Sequence, residues 1–108
     1  MRWIFEAFEY DPGYVGARMF GCETAYLDDR LCLAIADKDE PWNGLLVCTS
    51  HEHHEALMAQ IPALRPHEVL GKWLYVSQNH PAFEGVVEQI TALVSARDPR
   101  IGVEPKRK

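Results

Sequence analysis

Few cysteines, no long apolar run and a shortage of basic residues mark this 108-residue chain. The cysteines are Cys22, Cys32 and Cys48, an odd number with no Cys-x-x-Cys pair. Neither a disulfide scaffold nor a structural zinc knuckle is expected from them, and the pattern fits a reducing, cytoplasmic compartment. Each lies in apolar or β-prone surroundings, where a small buried residue is the ordinary reading. No apolar stretch approaches the roughly 18 residues that would span a bilayer, so no membrane association is expected. The start of the chain reaches Glu6 too early for the apolar stretch of a signal peptide. A phosphate-cradling glycine loop, a nucleophile elbow and a dinucleotide fingerprint are all missing, so no cofactor is expected.

The charge that is present is unevenly spread. The formal net charge is -5, from 11 Lys and Arg against 16 Asp and Glu. Residues 1–40 hold nine acids and four bases, whereas residues 97–108 hold five bases and two acids. An acidic body repels phosphate backbones, because duplex binding relies on Lys and Arg displacing counterions. Nucleic acid is therefore disfavoured and rests on the tail alone. The length fits one domain, read here as residues 1–98, followed by a basic, flexible tail over 99–108.

Periodicity sets out the elements. Arg2, Glu6 and Glu9 recur at helical spacing opposite Ile4, Ala7 and Phe8, and Asp11-Pro12-Gly13 stops that first helix. Residues 24–27 and 30–35 read as a hairpin about Asp28-Asp29, with Leu31, Leu33 and Ile35 on one face. Small Cys32, Ala34 and Ala36 fall on the other face, which suggests a helix packed closely there. Residues 45–49 give a third strand. Thr49 and Glu52 match a capping box, and His54, Leu57, Met58 and Ile61 mark the inner stripe of the helix that follows. Residues 69–77 read as a late strand with Trp73, Tyr75 and Ser77 opposite Leu74 and Val76. Pro81 opens the last helix, whose stripe is Phe83, Val86, Val87, Ile90, Leu93 and Val94. The expected fold is α+β in two layers, an antiparallel sheet with helices on one face. Its order is helix, three strands, helix, one or two strands, helix.

The segment Val15-Gly16-Ala17-Arg18-Met19-Phe20-Gly21, followed by Ala25-Tyr26-Leu27-Asp28-Asp29 and residues 31–37, resembles the amino-terminal domain of the TfoX/Sxy competence-regulator family. Gly71-Lys72-Trp73-Leu74-Tyr75-Val76 is similar to the Trp-bearing late strand of the related YjbR-like domains. The resemblance implies a helix before a three-stranded meander and a role in regulation or macromolecular interaction. The chain departs from the family pattern at Cys22, which replaces a second glycine, and at Cys48, where a lysine follows the apolar pair in the family. The carboxy-terminal helical domain of many family members is missing from this sequence.

Several side chains have the chemistry of a site. Arg18, Cys22, Lys72 and Trp73 form a candidate ligand-binding set, with Arg18 and Lys72 as anion binders and Cys22 as a thiol whose pKa a nearby Arg18 would lower. A base for that thiol would come from His67 or His80. His51, His54 and Glu55 share a helix face at spacings of three and four, but the order is not His-Glu-x-x-His, and no metal site is assigned. Trp42, in the charged loop, and the tail bases Arg100, Lys106, Arg107 and Lys108 form a candidate interaction surface. With no convergent catalytic set, the expected function is a non-catalytic domain that binds a protein partner or itself. A small-ligand or metal pocket, enzymatic or not, is the alternative.

Overall fold

The computed structural model describes residues 1–19 and 21–104. A 3₁₀ helix over Arg2–Phe8 opens the chain and buries Ile4, Phe5 and Phe8, the residues that its spacing brings to one side. Four strands follow: β1 (Tyr14–Met19), β2 (Cys22–Leu27), β3 (Arg30–Asp37) and β4 (Asn43–Val47). A 3₁₀ turn over His51–His53 leads into α1 (His54–Gln60). Then come β5 (Arg65–Pro66), β6 (Leu74–Ser77) and α2 (Phe83–Ser95). The result is an α+β fold on one antiparallel sheet, whose strand order among the described residues is β1-β2-β3-β4-β6-β5.

The first and last helices fall where their periodicity places them. The expected order is wrong before the middle helix, where four strands stand instead of three. The additional strand is β1, whose residues 15–18 are all exposed, so it carries no buried face to mark it. The late strand is shorter than expected and begins at Leu74, because Val69 and Leu70 lie exposed in a turn. The last helix begins at Phe83, two residues beyond Pro81. The capping box does not form either. Ser50 takes the cap position, and the Thr49 hydroxyl donates instead to the Arg100 carbonyl at 2.5 Å.

The Asp28-Asp29 hairpin is confirmed in detail. Both residues have positive φ, 52° and 68°, the pairing of a type I′ turn that matches the twist of its strands. Past the turn the register slips: Ala25 faces Leu33 but Tyr26 faces Leu31, which leaves Cys32 as an extra, bulged residue. The bulge moves Cys32 into the helix-side core, against the simple alternation read from the sequence.

That core joins Leu33, Ile35, Leu45, Val47, Leu74 and Val76 of the sheet to the buried faces of the first 3₁₀ helix, α1 and α2. All three helical segments therefore cover one face. The opposite face carries Cys22, Ala34, Ala36 and Leu46, and among the described residues no helix lies on it, contrary to the expectation drawn from its small residues. Trp42, Trp73 and Tyr75 cover it instead. Flat rings need small residues beneath them as much as a helix does.

The end of α2 is a Schellman cap with Arg97 at φ 60°. The Arg97 N–H bonds the Val94 carbonyl and the Asp98 N–H bonds the Leu93 carbonyl. Residues 99–103, read from the sequence as tail, pack back onto the sheet. Ile101 and Gly102 are buried, the Gly102 N–H bonds the Cys48 carbonyl, and Val103 pairs with Leu31. Lys106, Arg107 and Lys108 lie outside the described residues. Among the described residues no helix is long and apolar enough to cross a membrane.

Candidate interaction surface

The strand order separates the residues proposed from sequence as a ligand set. Arg18 lies on β1 at one edge, while Lys72 and Trp73 lead into β6. Four strand spacings intervene, about 19 Å. Arg18 is also on the helix side, opposite Glu23, which the first helix reaches through an Arg2–Glu23 ion pair of 3.2 Å. Cys22 and Trp73 belong to the same cluster on the other face, but β3 and β4 lie between the strands that carry them. Burial pushes the Cys22 thiol up, and the nearby Lys38 and Arg18 charges only partly oppose it, so an activated thiolate is not what this site holds. Lys72 is exposed, and its backbone carbonyl is the partner of His54 Nε2 at 2.7 Å.

The same bond engages one of the three metal candidates. His54 is buried and its Nε2 donates to that carbonyl, while the His51 ring packs against it at 5.0 Å between centroids. Glu55 is exposed on the adjoining turn. Among the described residues no group of three or more His, Cys, Asp or Glu is placed to hold a metal ion.

His67 is the residue that sequence reasoning undervalued. It is buried, its Nδ1 accepts the N–H groups of Val69 (3.1 Å) and Leu70 (2.9 Å), and its Nε2 donates to the Pro41 carbonyl at 2.7 Å. With both nitrogens bound to backbone it serves no thiol as a base. It ties the β5–β6 loop to the β3–β4 loop and carries the Trp42 ring at 4.4 Å and the Tyr75 ring at 5.2 Å. Trp42 is thereby folded onto the sheet as a loop anchor. Glu40 completes the clasp, accepting from the Tyr75 hydroxyl (2.6 Å) and the Ser77 hydroxyl (2.5 Å). These bonds lower the Glu40 pKa, while burial and the carboxylate push the Tyr75 phenol up to about 12. The Tyr75 oxygen also accepts the Asn43 N–H at 2.8 Å. Among the described residues no buried side-chain nitrogen or oxygen is left without a hydrogen-bond partner.

The tail candidate Arg100 is likewise engaged. Its guanidinium forms a two-pronged pair with Asp98 (3.0 and 2.8 Å) and also donates to Gln60 at 2.9 Å. A cavity of about 610 Å³ between the end of α1 and α2 is lined by Ile61, Pro62 and Val86 together with His80, Glu88 and Gln89. At its rim His80 Nδ1 accepts the Ala82 N–H at 3.0 Å.

The two edges of the sheet differ sharply. β5 is two residues long, and Pro66 has no N–H to offer a neighbour. β1 is six residues long, with Val15, Gly16, Ala17 and Arg18 exposed and Val15 at 57%. The pairing of Asp28 N–H with the Gly13 carbonyl (3.0 Å) sets the alternation along β1. Residues 13, 15 and 17 turn their backbone groups to β2, so those of 14, 16 and 18 face outward. The Tyr14 N–H is occupied by the Asp11 carbonyl at 3.1 Å. What β1 offers is the N–H and carbonyl of Gly16 and Arg18 and the carbonyl of Tyr14. Arg18, picked out from sequence for anion chemistry, is the one charged residue of this strand.

No family model matches this chain, and no curated protein or solved structure matches it.

Proposed function

We propose that the chain is a non-catalytic binding domain that works in regulation or assembly in the cytoplasm, and that its binding site is the open edge of β1. The observation that carries this reading is the contrast between edges: a two-residue, proline-blunted β5 against a six-residue β1 with outward backbone groups. An extended segment adds to such an edge by main-chain hydrogen bonds, and side chains of alternate residues supply selectivity. The resemblance to TfoX-like domains agrees with an interaction role, and the buried thiol at Cys22 and the bonded nitrogens of His54 and His67 argue against chemistry.

The test is an NMR titration of the isotope-labelled chain with short β-prone peptides. Shift changes and amide protection at Gly16 and Arg18 are the expected result. Changes confined to the Trp42–Trp73 face or the α1–α2 cavity overturn the proposal. So does a chain whose β1 amides gain protection from neither a peptide nor a second copy.

A further inference from the structure

Building on strand addition at β1, we infer that the segment it receives is β1 of a second copy, antiparallel about a two-fold axis through Gly16. Only outward-facing residues can exchange hydrogen bonds, so 14, 16 and 18 must pair among themselves. Centring on Arg18 sets two guanidiniums opposite each other, a like-charge pair that destabilises a ladder. Centring on Val15 pushes Pro12, which has no N–H, into the ladder against Arg18. Centring on Ala17 brings the two arginines onto diagonal positions, roughly 7–8 Å apart at the backbone.

The Gly16 axis avoids these conflicts. Gly16 exchanges both its backbone bonds with the partner's Gly16, and the Arg18 N–H donates to the carbonyl of the partner's Tyr14. By symmetry this makes four hydrogen bonds. The two arginines fall at opposite ends of the paired segment, each beside a tyrosine ring, a favourable cation–π arrangement. The Tyr14 hydroxyl already lies over Gly16, where an added Cβ would meet it at 2.8 Å, so the ring stands close to the edge. On the other side of the ladder, Val15 of each copy covers the partner's Ala17. Both are exposed in the single chain. An edge contact of this kind buries little surface, so the dimer is weak and concentration-dependent.

Three measurements test this on the full chain. Sedimentation velocity over a rising concentration series is expected to show a monomer–dimer equilibrium. Arg18→Pro removes only an outward N–H from each copy, and with its guanidinium is expected to weaken the dimer about tenfold or more. Val15→Lys, at an exposed position outside the core, is expected to weaken it as well and guards against a folding defect in the proline variant. The doubly substituted Val15→Cys/Ala17→Cys chain is expected to oxidise to a covalent dimer, since residues 15 and 17 of opposite copies face each other at disulfide range. Each single cysteine variant should not cross-link; the three native cysteines are buried and do not compete. Cross-linking by Ala17→Cys alone or Val15→Cys alone overturns the Gly16 axis. A chain that stays monomeric while peptides still protect Gly16 and Arg18 overturns the second copy as occupant and leaves strand addition standing. A dimer unmoved by Arg18→Pro and Val15→Lys, with β1 amides unprotected, overturns both.

Discussion

The two faces of the sheet are closed by different means. On the helix side, Leu33, Leu45, Val47 and Ile90 interlock as aliphatic side chains. On the other side, Ala34, Ala36 and Leu46 lie beneath three aromatic rings that loops hold in place through His67, Glu40 and Asn43. One face is held by apolar area, which is tolerant of direction. The other depends on a few aligned hydrogen bonds, and each removes a polar atom's need for water. A sheet can thus be covered on both faces although its helices occupy only one.

The difference can be broken by mutation, and the largest effect belongs to the helix side. Ile90→Ala leaves a cavity where a fully buried side chain meets the sheet and should cost about 3 kcal/mol in urea unfolding. On the aromatic side, Tyr75→Phe keeps the ring but strips the hydroxyl from Glu40 and from the Asn43 N–H, for a loss of about 1 kcal/mol. The same phenol gives the alkaline signature. Its pKa is about 12 in the fold against an ordinary 10.0, so its contribution is present below pH 10.0 and lost as pH rises towards 12. Absorbance titration should show a late tyrosinate step that Tyr75→Phe abolishes.

The smallest effect lies at the rim of the helix side. Arg97, at the end of α2, grips Asp11 with two nitrogens at 2.8 Å and Asp28 at 2.7 Å. These bonds hold the Asp11 carboxyl at about 2, below its ordinary 3.8. A depressed carboxylate stabilises the fold above its unfolded pKa, and that contribution is lost as pH falls from 3.8 to about 2. Asp11→Asn should lower stability at neutral pH slightly and flatten the acid limb by the same small amount, because the pair is exposed and screened.

The parts legible in the sequence are those whose partners are near in sequence or whose pattern records a buried face. α2 is the clearest, because its stripe from Phe83 to Val94 meets one continuous surface. The hairpin is legible from Asp28-Asp29 between two β-prone runs, since a turn needs only its own residues and their neighbours; its type I′ geometry is seen only in the structure. β1 left no trace, as an edge strand exposed over residues 15–18 has nothing to alternate. Thr49 misled for a related reason: its hydroxyl had a local partner in prospect and a better one 51 positions away. In the site, the sequence marks Trp42 and Trp73 as residues but not as covers of one cluster. His67 drew attention only as a base, because its role depends on two loops that the sheet brings together. Arg18 was singled out for its charge, whereas its backbone N–H is the group that the edge makes available.

The docked segment over residues 99–103 also bears on how the chain reaches its final state. It closes a contact between Arg30 and Gly102, 72 positions apart, whereas the β2–β3–β4 meander is stitched from neighbours in sequence. Loop-closure entropy grows only with the logarithm of length, so the long contact is cheap once the meander exists but a poor nucleus before it. The meander is therefore the part suited to form early, with the carboxy-terminal segment fastening late over Cys32 and Cys48. By the same entropic argument, residues 99–103 are expected to open before the meander does.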